Sequence, residues 1–349
     1  HKTVNMQDQE RNEEEEQKDL FEHYNFVADA GQTLLRIDKF LLCRIEATSR
    51  NKIQNVILAG NVLVNDKVVK ANYKVRPMDK ISLVMPYPPR ETEVLPENIP
   101  LDIVYEDDDV LVINKPAGLV VHPGYANYTG TLVNALVYHF GNLPSSSELA
   151  YRPGLVHRLD KNTSGIMVIA KTEIALSSLA KQFFDRTISR KYHALVWGRP
   201  KLEEGIIEGN VGRSHKNRKV MDVFPPDSGI GKHAITHYKM EQPLGYVSIV
   251  ECKLETGRTH QIRVHMKHLG HPLFNDESYG GDKILKGLPT ANYKRFVQNC
   301  FALIPGQALH AKTLEFSHPK TGERMKFDSE LPQGYLDIIG KFERAELTT

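Results

Sequence analysis

Apolar residues recur every three or four positions between residues 33 and 45, which is the spacing of one helix face. Ser49 is a typical N-cap residue for a second helix, and Gly60 is a typical residue to end it. Short apolar runs separated by turn residues then predict strands at 62–64, 68–69 and 81–84. This part of the chain is therefore predicted to form two helices followed by a small sheet.

Strand-like and helix-like patterns mix along the rest of the chain. The run Asp107-Asp108-Asp109 lies between two apolar segments and predicts the turn of a hairpin. Further strands are expected at 165–170, 191–197, 205–211, 232–241, 246–255 and 308–316, and helices at 131–140, 172–186, 259–269 and 332–344. Because hairpin-like strands outnumber β-α-β units, the predicted fold class is α+β with a mixed, largely antiparallel sheet.

Five prolines are concentrated just before residue 101 and mark a boundary between the two patterns. We therefore expect a proline-rich linker at 87–100, a small domain at 32–86 and a larger domain at 101–345. Residues 1–31 precede both domains. Their self-repelling run of four glutamates predicts a disordered acidic tail.

The formal net charge of +2 conceals a strong asymmetry along the 349 residues. Residues 1–31 hold nine acidic and three basic residues, whereas residues 32–86 hold ten basic and four acidic residues. A basic domain behind an acidic tail is the pattern of a nucleic-acid-binding protein. A basic surface that is merely solvated fits the charge equally well.

The composition argues against several classes of protein. No apolar run approaches the ~18 residues that a membrane span requires. Three widely spaced cysteines support neither a disulfide framework nor a thiolate metal site, and they fit a cytoplasmic protein. The glycine-rich phosphate-binding loop, the dinucleotide-binding fingerprint and the serine-hydrolase elbow are all absent from the sequence.

Basic residues interleave with the apolar stripe of the two N-terminal helices. They spread positive charge over a surface of the kind that contacts phosphates, and they are Arg36, Lys39, Arg44, Arg50 and Lys52. This domain resembles the small RNA-binding domain named after ribosomal small-subunit protein four. The matching segments are R-I-D-K-F-L, S-R-N-K-I-Q, G-N-V-L-V-N and M-D-K-I, which begin at positions 36, 49, 60 and 78. The resemblance implies that the five basic residues bind RNA.

A single carboxylate, Asp160, lies between Arg158 and Lys161 in a segment of turn-forming residues just before an apolar strand. Loops that end at strands often display catalytic groups. The neighbouring cations would keep the carboxylate ionised, as a nucleophile or a base requires. On the chemistry alone, a structural aspartate that caps a turn is the simpler interpretation.

Five longer segments resemble the RluA/RluD-type pseudouridine synthases and occur in the order of that family. They are N-K-P-A-G-L-V-V-H-P-G (114–124), H-R-L-D-K-N-T-S-G (157–165), R-K-Y-H-A-L-V-W-G (190–198), L-E-T-G-R-T-H-Q-I-R-V-H (254–265) and L-H-A-K-T-L-E-F-S-H-P (309–319). Together with the N-terminal domain, the resemblance covers about residues 32–340. An RNA-binding domain followed by this second domain most resembles the RluD branch, which modifies large-subunit ribosomal RNA.

The resemblance implies roles for individual residues. Asp160 matches the catalytic aspartate, which either adds to the sugar or removes the C2′ proton, so that the uracil–ribose bond breaks and the base rejoins through C5. Tyr192 matches the tyrosine that packs on the target base. Arg263 matches the arginine that pairs with the aspartate and keeps a buried carboxylate charged. Arg158 matches the residue that fills the space left by the flipped uridine, and the adjacent His157 is also expected to contact RNA.

Four histidines, at positions 260, 265, 268 and 271, lie close together and could bind zinc. No carboxylate that could orient them stands at a readable spacing. We therefore expect this helix to present polar groups to RNA and to pack the active site. The resemblance implies neither metal nor cofactor, because the isomerisation includes no redox step and no phosphate transfer.

The resemblance thus predicts conversion of uridine to pseudouridine in large-subunit (23S) ribosomal RNA, free or in an assembling subunit. The cysteine content favours the cytoplasm, and we expect a monomer. An enzyme of the same family that acts on transfer RNA would have the same site chemistry. The other alternative is a non-catalytic ribosome-assembly factor, which would bind RNA in the same way. It would have no physical reason to retain Asp160, Tyr192 and Arg263.

Overall fold

The computed structural model describes residues 21–45, 48–85, 94–122, 129–141, 143–144 and 154–347. The expected disorder of residues 1–20 and the first part of the expected linker, residues 87–93, lie outside the described residues.

The N-terminal domain is built from two helices and short strands. Its elements are β1 (Phe21–Val27), β2 (Leu35–Arg36), α1 (Ile37–Arg44), α2 (Arg50–Leu58), β3 (Val62–Val64), β4 (Lys67–Val68), β5 (Lys74–Val75) and β6 (Lys80–Met85). An antiparallel sheet of order β1-β6-β3-β4 packs against the helices. The Ser49 hydroxyl accepts a hydrogen bond from the backbone N–H of Lys52 and so caps α2 as predicted.

The prediction that residues 1–31 form a disordered tail is wrong for residues 21–27, which form β1 and pair antiparallel with β6. The acidic residues are concentrated before residue 20, whereas β1 carries Tyr24 and Phe26. These two rings stack with centroids 6.0 Å apart, and Phe26 packs edge-on against Phe40 of α1. Charge averaged over the whole segment concealed an aromatic strand with good β-propensity.

The second domain is built around one large sheet. Its strands are β7 (Ile103–Glu106), β8 (Val110–Lys115), β9 (Ser164–Ala170), β10 (Ser189–Trp197), β11 (Glu204–Glu208), β12 (Asn210–Arg213), β13 (Met221–Phe224), β14 (Ile235–Pro243), β15 (Val247–Leu254), β16 (Leu309–Ser317) and β17 (Arg324–Asp328). Its helices are α3 (Leu132–Phe140), α4 (Glu173–Phe184), α5 (Gln261–His268), α6 (Ala291–Phe301) and α7 (Gln333–Ala345). Among the helices of the described ranges, none is long and apolar enough to cross a membrane.

The strand order of the large sheet is β11-β14-β15-β10-β16-β9-β8-β7, and β17 pairs with β16. β9 runs parallel to β16, and the other neighbouring strands of this sheet are antiparallel. These pairings confirm the predicted α+β class with a mixed, largely antiparallel sheet.

The structure corrects some expected elements. The helix expected at 33–45 begins only at Ile37, because Leu35 and Arg36 pair with β5 as a short strand. The strand expected at 205–211 is two strands, since β11 pairs with β14 whereas β12 forms a separate hairpin with β13. The sequence pattern also fails to predict β13, β17 and α6.

The C-terminal part of the expected linker is attached to the second domain. The Asn134 side chain of α3 donates a hydrogen bond to the Leu95 carbonyl at 2.8 Å. The Glu97 carboxylate accepts one from the backbone N–H of Gly130, and a ring nitrogen of His139 lies 3.0 Å from the carbonyl of residue 99. This part of the segment therefore packs on α3 and does not act as a spacer.

β9 fixes the position of the loop that precedes it. Met167 and Ile169 pack into one apolar cluster, and Ile166 and Val168 pack into another on the opposite face of the sheet. Gly165 has a φ of +127°, and a Cβ built there would lie 2.2 Å from the carbonyl oxygen of residue 311 in β16. A glycine is required for this close approach of the two strands.

Candidate active site

Residues 157–163, which we name the Asp160 loop, are held from several sides. Lys115 is almost completely buried, and its Nζ donates three hydrogen bonds of 2.7–3.1 Å to backbone carbonyls, including that of Lys161. Burial lowers the pKa of Lys115 to about 7, against the opposing influence of the Asp160 charge. Gln307 donates to the Thr163 hydroxyl at 3.0 Å from the other side. Asp160 therefore sits on a loop with a well-defined shape.

Arg263 of α5 connects two carboxylates. Its Nη1 donates to Asp160 Oδ2 at 3.1 Å, while its Nε and Nη2 donate to the two oxygens of Asp276 at 2.9 Å each. Burial lowers the pKa of Arg263, but the hydrogen bonds with Asp276 and the charge of Asp160 outweigh burial and raise it. Because Asp276 fixes the plane of the guanidinium, one N–H of Arg263 points at Asp160.

Asp160 is ionised at neutral pH. Burial raises the pKa of Asp160, but the nearby His260, Arg263 and Arg158 outweigh burial and lower that pKa to about 2. The side chain is still 21% exposed, so a substrate can reach it. A carboxylate that stays ionised and accessible can act as a nucleophile or as a base.

His260 stands directly before α5 and approaches the other oxygen of Asp160. Its Nε2 lies 3.8 Å from Asp160 Oδ1, and its Nδ1 lies 2.7 Å from the hydroxyl of Tyr279. Burial lowers the pKa of His260 to about 3, and repulsion from Arg263 adds to this effect, so the ring is neutral at neutral pH. The backbone of His260 is in the left-handed region with a φ of +56°, a conformation that is unfavourable for a residue with a Cβ.

The other two residues expected in the active site line the same pocket. Tyr192 lies on β10 with 7% of its surface exposed, and burial raises the pKa of its phenol, which therefore stays neutral. Arg158 donates from Nη2 to the Thr259 hydroxyl at 3.1 Å. The structure thus brings Asp160, Arg263, Tyr192 and Arg158 together around one pocket.

A cleft of about 400 Å³ opens at Asp160. Val84 of the N-terminal domain contributes to its wall, so the two domains meet at this cleft. The contact includes an ion pair between Asp66 and Lys219. The basic residues that line the cleft are Arg158, Lys161, Arg213, Lys219 and Arg263. An ionised carboxylate among these cations is suited to a polyanionic substrate.

His157 is not among the residues that line the pocket or the cleft at Asp160. Its Nε2 accepts a hydrogen bond of 3.0 Å from the backbone N–H of Val168, and its ring packs against Phe183 with centroids 4.9 Å apart. Burial lowers the pKa of His157 to about 3. The structure places the side chain behind the Asp160 loop, and this position does not support the expected contact with RNA.

The five basic residues expected to bind RNA lie on or beside α1 and α2, outside the Asp160 pocket. Arg36 is half-buried and forms a two-pronged ion pair with the buried Asp38. The other four are exposed and accessible to a polyanion, and they are Lys39, Arg44, Arg50 and Lys52. The two helices therefore offer a separate basic surface.

The clustered histidines near α5 do not assemble a metal site among the described residues. Both ring nitrogens of the buried His265 are hydrogen-bonded to the protein, and His271 is bonded to a backbone carbonyl. Three metal-type donors do come together elsewhere, namely Asp107, Asp109 and His318. Asp107 already accepts hydrogen bonds from two backbone amides and from a tyrosine hydroxyl, and it also contacts His318.

The sequence pattern indicates no individual role for four residues of this arrangement. Lys115 lies within a segment that matches the family, and His260 is one of several neighbouring histidines. Asp276 and Tyr279 follow α5 in a segment without any pattern that points to Arg263 or His260. Only the folded chain shows these contacts.

Two family models match the chain, that of RNA pseudouridylate synthase at residues 109–268 and that of the S4 domain at residues 35–81. An "uncharacterized RNA pseudouridine synthase" of Chlorobaculum parvum is 50% identical over 89% of this chain and 94% of that protein. The ribosomal large subunit pseudouridine synthase D of Zymomonas mobilis is 44% identical over 85% of this chain and 90% of that enzyme. The human protein named RNA pseudouridylate synthase domain containing 4 has a similar fold, with a TM-score of 0.52, 24% identity and coverage of 69% of this chain and 92% of that one.

The chain thus combines an S4 domain with an RNA pseudouridylate synthase domain. The chain belongs to the RNA pseudouridine synthase family. It is an isomerase that acts on RNA, and its N-terminal domain is an S4 domain.

Proposed function

We propose that the protein converts uridine to pseudouridine in large-subunit (23S) ribosomal RNA. The observation that carries the proposal is the ionised Asp160, oriented by Arg263 in a cleft lined with basic residues. The similarity to an enzyme of Zymomonas mobilis that is named for the ribosomal large subunit supports this substrate.

In the proposed reaction, the bond between C1′ and N1 of the uridine breaks, the base turns in the cleft, and a bond forms between C1′ and C5. The hydrogen on C5 leaves as a proton and N1 gains a proton, so the product is an isomer of the substrate. Asp160 begins the reaction either by adding to the sugar or by removing the C2′ proton to give a glycal. Both routes use the same ionised carboxylate.

The neighbouring residues support this step in different ways. Arg263 holds the Asp160 carboxylate by a hydrogen bond from Nη1 and lowers its pKa. Tyr192 offers a neutral aromatic ring for packing on the target base. Arg158 breaks its hydrogen bond with Thr259 when RNA binds. Its side chain then enters the gap that the flipped uridine leaves, where the planar guanidinium can stack on the neighbouring bases.

The S4 domain holds RNA beyond the target uridine. Its exposed cations on α1 and α2 contact phosphates, and tethering to the second domain raises the effective concentration of RNA at Asp160. Because β1 pairs with β6 in the sheet of this domain, the RNA-binding unit includes residues 21–27 in addition to residues 32–86.

The test is tritium release from uridine labelled at C5, measured in parallel on 23S ribosomal RNA and on transfer RNA. We expect release from 23S ribosomal RNA with the unaltered protein and with Asp227→Asn, an exposed control. Asp160→Asn should abolish release without unfolding the protein, because Asp276 still holds Arg263 through two hydrogen bonds.

Each other outcome contradicts a different part of the proposal. Release from transfer RNA alone would keep the chemistry and overturn the substrate. Substantial release by Asp160→Asn would overturn the role of the carboxylate. No release from either RNA or from assembling large subunits would favour a non-catalytic assembly factor.

A further inference from the structure

Among the described residues, hydrogen bonds fix the Asp160 carboxylate at one of its two oxygens. Oδ2 accepts a hydrogen bond from Arg263, whereas Oδ1 faces His260 Nε2 at 3.8 Å. That separation is about 0.8 Å longer than an ordinary N–H···O hydrogen bond. Catalytic hydrogen bonds are often long in the free enzyme and tighten when the substrate binds. The side chain of His260 is 20% exposed and the gap faces the cleft, so bound RNA can close it.

The contacts of Tyr279 determine which nitrogen of His260 carries the proton. The Tyr279 hydroxyl accepts a hydrogen bond of 2.9 Å from the backbone N–H of Met221. Within the described part of the chain, His260 Nδ1, at 2.7 Å, is the one acceptor that its own proton can reach. The Met221 N–H, the Tyr279 hydroxyl and His260 Nδ1 all have a partner when Tyr279 donates its proton to an unprotonated Nδ1. The proton of the neutral ring is then on Nε2. That N–H points towards Asp160 Oδ1.

We propose that His260 is a positioning residue that donates a hydrogen bond from Nε2 to Asp160 Oδ1 when RNA occupies the cleft. With Arg263 on Oδ2 and His260 on Oδ1, both oxygens are held and the carboxylate can no longer rotate. This inference rests on the proposed role of Asp160. Tyr279 supports both partners, since its hydroxyl sets the tautomer of His260 and its ring lies under the Arg263 guanidinium at 5.1 Å.

His260→Asn and His260→Gln distinguish this proposal from a purely structural role of His260, because the two explanations predict opposite orders of activity. The left-handed backbone at this position, with a φ of +56°, is tolerated best by asparagine among residues with a Cβ. If only the backbone matters, His260→Asn should be at least as active as His260→Gln. The amide nitrogen of glutamine extends as far as Nε2 of histidine, whereas that of asparagine extends only as far as Nδ1. If the donor to Asp160 matters, His260→Gln should be the more active variant.

The first experiment measures single-turnover tritium release and RNA affinity for both variants, with the exposed Asp227→Asn as a control. We expect His260→Asn to lower the rate about ten- to a hundredfold at unchanged RNA affinity, the effect of losing one hydrogen bond to a charged group. His260→Gln should recover most of the rate, and Asp227→Asn should leave it unchanged. An asparagine variant as fast as the glutamine variant would overturn the proposal.

The second experiment reads the tautomer directly from the nitrogen chemical shifts of the His260 ring, using selectively labelled full-length protein. We expect a protonated Nε2 and a bare Nδ1 in the unaltered chain. Tyr279→Phe keeps the ring under Arg263 and removes only the hydroxyl, so it should yield a mixture of tautomers. A protonated Nδ1 in the unaltered chain would overturn the proposal even if the enzyme is active. If the unaltered protein released no tritium, the proposed function itself would fail, and the nitrogen shifts would still report the hydrogen-bond arrangement.

Discussion

Asp276 is completely buried, and its carboxylate receives two hydrogen bonds of 2.9 Å from Arg263. Substitution of Asp276 by asparagine keeps the size of the side chain and removes the charge. Of the carboxylates that the described residues bring to Arg263, which is itself only 6% exposed, Asp160 alone would then remain charged. Loss of one partner from a buried ion pair destabilises a protein by about 3–5 kcal/mol.

For a domain of this size, that loss corresponds to a decrease in melting temperature of about 6 to 20 °C. The matched control is Glu204→Gln, which breaks the exposed pair between Glu204 and Lys239, with 4.0 Å between the charged atoms and exposed side-chain fractions of 72% and 58%. An exposed pair contributes at most about 1 kcal/mol, so the control should melt within about 4 °C of the unaltered protein.

The same substitution should slow the reaction, because Arg263 is no longer held in the plane that aims Nη1 at Asp160. Misplacement of a reacting group by about 1 Å can lower a rate about a hundredfold. Thermal unfolding measures the stability, and single-turnover tritium release measures the rate. If Asp276→Asn melts together with Glu204→Gln and reacts at the normal rate, then Asp276 does not orient Arg263 and the reasoning is refuted.

Three further predictions concern the strands, the buried histidines and the S4 domain. Gly165→Ala should lower the free energy of unfolding by more than about 3 kcal/mol, measured by urea unfolding, because its Cβ would clash with the Ala311 carbonyl oxygen. Gly322 has open space around it, so Gly322→Ala should lower the same free energy by only about 1–2 kcal/mol. Burial lowers the pKa of His310 to about 4 from 6.5, so the neutral ring contributes its full stability above pH 6.5 and this contribution is lost as the pH falls towards 4. The melting temperature of His310→Gln should therefore decrease less over this pH range than that of the unaltered protein. An equal decrease would contradict this reasoning. Removal of residues 21–85 should weaken RNA binding and flatten its dependence on salt while single-turnover chemistry at saturating enzyme continues, and an unchanged salt dependence would show that the S4 domain does not hold RNA.

The core elements of both domains could be predicted because their patterns are local. The cap at Ser49 and the apolar run of β9 need only neighbouring residues to be recognised, and both are confirmed. β1 could not be recognised from charge, because its stability comes from pairing with β6, more than fifty residues later in the chain. Long-range pairing of this kind leaves little trace in a single segment.

The pairing of Asp160 with Arg263 was expected from resemblance, and the structure places the two side chains 3.1 Å apart. The bonds of Arg263 with Asp276 and of His260 with Tyr279 could not be expected, because they depend on how the segment after α5 folds back over that helix. His157 shows the converse. It belongs to the same matching segment as Asp160, yet its ring turns towards β9 and away from the cleft.

The parallel contact between β9 and β16 also has a consequence for how the enzyme is made. Ser164 and His310, whose side chains are 2.7 Å apart, are separated by 146 positions in the chain. At synthesis rates of about 5–20 residues per second, roughly 7 to 30 seconds pass between the emergence of the first strand and that of the second. During this interval, β9, which directly follows the Asp160 loop, has no neighbouring strand on one side. The sheet around the candidate active site therefore cannot be completed before β16 has left the exit tunnel.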